Sequence, residues 1–324
     1  MPRINALVRA WALLAVLFFV QGCAVIRPSE VLPEYKNKPF VDRVYPAPER
    51  FMALDAINGA KVCYVEKGSG PTLLILPGLS LGAHNWRFNF DRYAEKFHVV
   101  LMDFPGYGKS DAPDLDYSIE LFKNCALEFM KKKGIKHAAI LGHSLGGQVG
   151  IVLAAEYPKK VDALILETAT GLRQRLGFIE DWAVTAYITA DRFANLPEKK
   201  MRDYTEMNFY APSAAQEELN EYQLSFRAHF WDKPIFWQRN EAFTRGALRI
   251  IMTDVRGYVA SIQVPTLIMW GRQDRLDSVN HAYWLYQTIP NAQLYVIERC
   301  GHQPHLEKPE IYDFAGIKFL EALP

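Results

Sequence analysis

Residues Leu141 to Gly150 read "LGHSLGGQVG" and follow directly on "HAAI", so that Ser144 stands between Gly142 and Gly146 at the end of an apolar run. A short apolar run closed by glycines reads as a buried strand, and "LGGQVGIVLAAEYP" after it reads as a helix. A strand that turns at once into a helix bends so tightly that neighbouring Cβ atoms would collide, which glycine avoids. The serine is left exposed on top of the sheet.

The same pattern recurs outward from this stretch. "TLLILPG", "FHVVLMDFPG", "VDALILETATG", "PTLIMWGRQD" and "AQLYVIERCGH" are further apolar runs that end in Gly, Pro or polar residues, with "AKVCYVEKG" ahead of them. Runs apolar on both faces suit central parallel strands. "SIELFKNCALEFMKKKG" between two of them is a helix whose apolar face is Ile119, Phe122, Cys125, Ala126, Phe129 and Met130. Lys131 to Lys133 lie at the end where the helix dipole favours cations, and Gly134 terminates it. Strands alternating with helices predict an α/β fold, with a mostly parallel sheet covered on both faces and ligands bound at the carboxyl ends of the strands. The alternation lapses over residues 171–258, where aromatic-rich helical stretches predict a lid or cap. Residues 51–170 and 259–324 then form the core.

The 324 residues carry a net charge of +1, with half of them hydrophobic and 23% charged. That length allows a sizeable core. Near-neutrality argues against a nucleic-acid partner.

A serine in a G-x-S-x-G turn is a candidate nucleophile, but a hydroxyl needs a base in hydrogen-bond reach and a carboxylate to orient that base. Asp274 follows one later strand and His302 the next, giving the order Ser, Asp, His. Glu167, at the end of "LILE", is the alternative acid. His305 competes with His302, which has the preceding glycine in its favour. Cys300, His302 and His305 lack an obvious fourth ligand, so no metal is expected, and no cofactor. His143 reads as structural, and Asp103 as the organiser of the turn "DFPGYGKS". Cys63, Cys125 and Cys300 form no disulfide framework and read as buried small residues.

From about Phe51 to Phe319, "LPGLSLGAHNW", "DFPGYGKS", "GHSLGG", "WGRQD" and "CGHQPHLEKPE" resemble, in that order, an α/β-hydrolase-fold protein of the lipase and esterase kind. The resemblance implies an acyl-enzyme on Ser144 and an oxyanion hole made by the backbone N–H groups of Leu79 and Leu145. Pro77 stands where that family usually has histidine. The expected activity is hydrolysis of carboxylic esters with apolar, lipid-like acyl groups. Carbon–carbon bond hydrolysis of a diketone on the same triad, or ligand binding without turnover, are the alternatives.

Before the core, Arg3 and Arg9 precede the uncharged run "AWALLAVLFFV" of Ala10 to Val20, shorter than the ~20 residues of a membrane span. It reads as a signal peptide over residues 1–22. "VQGC" followed by the proline-containing segment 23–50 resembles the lipobox of bacterial lipoproteins, which implies a lipid on Cys23, an N-terminal tether and membrane association. Ala24 implies the outer membrane, facing the periplasm. A cleaved secretory signal and an uncleaved anchor are the other readings.

Overall fold

A computed structural model describes residue 35 and residues 37–172 and 189–323. The expected signal peptide and Cys23 lie outside the described residues. Eight strands form one sheet: β1 (Arg50–Ala53), β2 (Lys61–Lys67), β3 (Thr72–Leu76), β4 (His98–Met102), β5 (Ala138–His143), β6 (Val161–Glu167), β7 (Thr266–Gly271) and β8 (Ala292–Ile297). Their spatial order is β1-β2-β4-β3-β5-β6-β7-β8. β1 and β2 pair antiparallel, as do β2 and β4, and all other pairs are parallel.

The unbroken apolar runs are explained by the two cores they face. Leu74, Leu76, Ile140, Leu164, Leu166, Ile268 and Trp270 point to one side. Their neighbours Leu73, Ile75, Leu141, Ile165, Leu267 and Met269 point to the other, because side chains alternate along a strand. Helix α1 (Phe90–Ala94) covers the second face. Helix α2 (Ile119–Lys133) covers the first and buries Phe122, Cys125 and Phe129, each phenylalanine worth about 1.5–3 kcal/mol of burial. The Ser118 hydroxyl accepts from Leu121 N at 3.2 Å to cap α2, and Gly134, at φ 73°, closes it.

Helix α3 (Leu145–Glu156) springs from β5. Between β6 and β7 the described residues form α4 (Ala190–Ala194), α5 (Glu198–Glu206), α6 (Ala214–Phe230), α7 (Pro234–Met252) and α8 (Arg256–Val259). Helices α9 (Val279–Thr288), α10 (Pro304–Glu307) and α11 (Pro309–Glu321) complete the body. Cys63, Cys125 and Cys300 are buried and free. No helix among the described residues is long and apolar enough to cross a membrane.

The described residues ahead of β1 pack onto the body and α6. Phe40 packs edge-on to Phe230 at 5.0 Å between ring centroids, and Val41 N donates to Ser225 Oγ at 3.0 Å, both on α6. Tyr35 Oη donates to Glu221 at 3.1 Å on the same helix, and Tyr45 Oη donates to the buried carboxylate of Asp103.

In parallel register, His143 lies beside Glu167, Glu167 beside Met269, and Gly271 beside Ile297. The carboxyl ends of β5 to β8 therefore share one rim.

Candidate active site

Ser144 occupies the first position beyond β5 at φ 52° and ψ −113°, a left-handed backbone rare for a residue with a side chain. The surrounding contacts hold it there. Ser144 N donates to Glu167 O at 2.9 Å and Thr170 N donates to Ser144 O at 3.2 Å. A Cβ on Gly146 would lie 1.9 Å from Leu76 O, and one on Gly142 would lie 2.4 Å from Gly146 O. Only bare Cα atoms fit so close a crossing of β3, β5 and α3, and the result is a strained serine at the sheet rim.

His302 follows β8 and is buried against Asp274, which follows β7. His302 Nδ1 and Asp274 Oδ2 are 2.7 Å apart, with the side chains 3% and 0% exposed. Leu276 N and Asp277 N, at 2.8 and 2.9 Å, donate to the other oxygen of Asp274, fixing the carboxylate. Burial would lower the imidazole's proton affinity, but the Asp274 charge and hydrogen bond outweigh it and hold His302 above the ordinary histidine value.

The main chain of His302 is tied to the end of β5. Its carbonyl accepts from His143 Nε2 at 2.9 Å and from Thr168 Oγ1 at 3.1 Å, and the His143 and His302 rings lie 5.3 Å apart. Its N–H donates to Asn208 O at 2.8 Å, in the loop between α5 and α6. Glu307 holds the same junction from the other side, accepting from Gly301 N at 2.7 Å and Tyr210 N at 2.8 Å. Ser144, on a strand-to-helix bend, thus directly follows a histidine that bonds the main chain of His302, whose imidazole is oriented by a buried carboxylate.

A family model described as the alpha/beta hydrolase fold matches residues 71–309. This chain belongs to the alpha/beta hydrolase fold family. The α/β hydrolase is 29% identical to a 2-hydroxy-6-oxo-6-phenylhexa-2,4-dienoate hydrolase of Comamonas testosteroni over 269 residues, 79% of this chain and 90% of that one. Among solved structures, an esterase from Exiguobacterium antarcticum matches with a TM-score of 0.70 at 22% identity, over 84% of this chain and 99% of the other. A membrane phospholipase A described as a bacterial virulence factor matches with a TM-score of 0.69 at 25% identity, over 100% of this chain and 99% of the other.

The other sequence candidates of the α/β hydrolase occupy distinct places. Glu167 does not face His302; its Oε1 lies 2.7 Å from His305 Nδ1, and Tyr312 Oη donates to its Oε2 at 2.9 Å. Cys300, His302 and His305 point their ligand atoms to different partners, with Cys300 Sγ 3.8 Å from Glu307 Oε1. Leu145 opens α3, so its N–H belongs to the first turn, where amides lack helical partners. Gly78, the residue before Leu79, runs so close to the rim that a Cβ there would lie 2.7 Å from His143 Nδ1. His143 is buried, and loss of solvation drives its pKa down to about 3. Asp103 accepts from Ala83 N and Lys109 N, both at 2.8 Å, and shapes the turn after β4; burial lifts its pKa to about 6 against those bonds.

Thr168, Asn208 and Glu307 were not singled out in the sequence. Each acts through main-chain groups of distant loops, for which a single sequence carries no signal.

Proposed function

We propose that the protein hydrolyses carboxylic esters with apolar, lipid-like acyl groups through an acyl-enzyme on Ser144. The observation that carries this reading is the rim geometry: a serine strained at φ 52° beside a buried histidine and aspartate 2.7 Å apart. Ser144 Oγ attacks the ester carbonyl carbon while His302 takes its proton, and Asp274 keeps the imidazole in the orientation and tautomer this requires. The backbone N–H groups of Leu79 and Leu145 face the oxygen that becomes negative; one such donor is typically worth about 3 kcal/mol. His302 then gives the proton to the departing alcohol, and water, deprotonated by the same histidine, releases the acid.

The apolar acyl group is supported by what meets Leu79. Helix α7 brings Gly246 onto Leu79 and Tyr107 and Ala242 onto Tyr107, while its Phe243 stacks on Phe193 at 4.2 Å; none of these side chains is charged. The similarity to a membrane phospholipase A over the whole of this chain supports a lipid substrate and a membrane location. Cys23 carries the lipid anchor in this reading, and the protein resides in a bacterial envelope, on the periplasmic side of the outer membrane.

Similarity to the dienoate hydrolases favours a second reading, carbon–carbon bond cleavage of a diketone by the same residues. Turnover of p-nitrophenyl esters of increasing chain length and of phospholipid, run beside a ring-cleavage dienoate, separates the two. Ester turnover that vanishes in Ser144→Ala is expected. Turnover of the dienoate with no ester cleaved above the level of that variant would overturn the ester reading.

A further inference from the structure

Beneath the Asp274–His302 pair lies a second buried acid–histidine pair. Glu167 and His305 are both 0% exposed, with Oε1 and Nδ1 2.7 Å apart. Glu167 Oε1 also accepts from His305 N at 3.1 Å, and Tyr312 Oη donates to Oε2. The His305 ring is sandwiched, stacked on Trp86 at 4.3 Å and nearly parallel to it, with the edge of His143 at 5.1 Å.

Two features connect this pair to the reaction. The main-chain oxygen of Glu167 accepts from Ser144 N at 2.9 Å, so one residue bonds the nucleophile's backbone and, through its carboxylate, the first turn of α10, which begins two residues after His302. His143, immediately before Ser144, donates to the His302 carbonyl and lies edge-on to His305. Glu167, His305 and His143 thus span the gap between the strand that carries the nucleophile and the loop that carries the base.

The ligand-type atoms of these three residues lie within 4.8 Å of one another, as a metal site would require. The direct contact of Glu167 Oε1 with His305 Nδ1 instead commits both atoms to each other. The remaining carboxylate oxygen is taken by Tyr312.

We infer that Glu167 and His305 are positioning residues, which set the distance and orientation of His302 relative to Ser144 without touching substrate. The inference rests on the assignment of Ser144 as nucleophile. Displacement of a reacting group by about 1 Å can cost about a hundredfold in rate, so loss of this strut is expensive although no reacting atom is removed. The carboxylate also contributes electrostatically. The negative charges of Asp274 and Asp277, in the loop after β7, and of Glu167, which acts through space from the end of β6, all favour the protonated imidazole of His302, and the His143 ring lies 5.3 Å from it on β5.

The rate of Ser144 labelling by a fluorophosphonate, followed from pH 5 to 9 in the full-length protein, tests this without a known substrate. Glu167→Gln keeps the side chain's size and removes its charge. Its labelling rate is expected to fall about tenfold to a hundredfold at pH 7, with the acid-side midpoint moved to lower pH because His302 loses a neighbouring negative charge. His305→Gln, which keeps Glu167, carries the same test if the first variant does not fold: slower labelling is expected, with loss of the pairing. Tyr312→Phe, which leaves the Glu167–His305 contact in place, is expected to label within about threefold of wild type. Folded Glu167→Gln or His305→Gln protein that labels at the wild-type rate with an unmoved midpoint would overturn the inference. Failure of the wild type itself to label would instead remove the assignment of Ser144.

Discussion

His302 Nδ1 faces Asp274 Oδ2 at 2.7 Å in a contact closed to solvent, and the carboxylate's second oxygen is held by Leu276 N and Asp277 N. The aspartate cannot turn away, and the imidazole can present only its far nitrogen to the rim. Asp274→Asn, which keeps the shape but favours the wrong tautomer, should lower kcat on the order of 10⁴-fold. Steady-state ester hydrolysis, with folding checked by circular dichroism, measures it. A loss below tenfold would leave Asp274 without the orienting role.

The pH profile follows from the same pair. In the proposed mechanism His302 must be neutral to accept the Ser144 proton, and its proton affinity is raised above that of a free imidazole near 6.5. kcat/KM should therefore fall on the acid side with a midpoint above 6.5 rather than below it. A midpoint well under that value would mean that burial, not Asp274, dominates.

Stability in acid should depend on His143. Its folded-state pKa is lowered to about 3 from 6.5, so its contribution is fully present above 6.5 and is lost as pH falls toward 3. Asp103 and Asp313, raised to about 6 by burial, act in the opposite direction and are unchanged in a His143 variant. Urea unfolding of wild type and His143→Gln at pH 7 and pH 4.5 is expected to show a smaller loss toward acid in the variant. Parallel losses in the two proteins would contradict it.

Gly146→Ala should be severe. The new methyl would lie 1.9 Å from Leu76 O, main chain of a central strand that cannot move aside. Overpacking typically costs about 1–3 kcal/mol, and a backbone clash at this distance belongs at or beyond the upper end. Soluble protein with an unchanged urea midpoint would show the elbow to be looser than described.

Phe40→Ala tests the attachment of the N-terminal segment to α6, where Phe40 meets Tyr222, Phe226, His229 and Phe230. Losing a half-buried aromatic from this cluster should cost about 1–2 kcal/mol, less than a core phenylalanine, and should speed limited proteolysis around α6 and α7. Cleavage at the wild-type rate would mean the segment does not brace the cap.

The elbow was legible in the sequence because its cause is local. Gly142, Gly146 and Gly147 are needed within a few residues of Ser144, and the alternating core contacts of "TLLIL" and "AAIL" follow from composition alone. The alternation of strands and helices likewise fixed the α/β class, since apolar runs closed by Gly and Pro and the single amphipathic face of Ile119–Lys133 each act over one element.

Two carboxylates and two histidines stood near strand ends; Asp274 and His302 were the first choice, with Glu167 and His305 as their rivals. Packing decided it: the loop after β7 delivers Asp274 to His302, while the last residue of β6 and the short helix Pro304–Glu307 bury Glu167 against His305 beneath Trp86. The bracing of α6 by Phe40, and the hold of Thr168 and Asn208 on the backbone of His302, are of the same kind. Local sequence specifies bends and faces because their energetics involve neighbouring residues; contacts between segments more than a hundred residues apart exist only once the sheet register and the layers above it have brought them together.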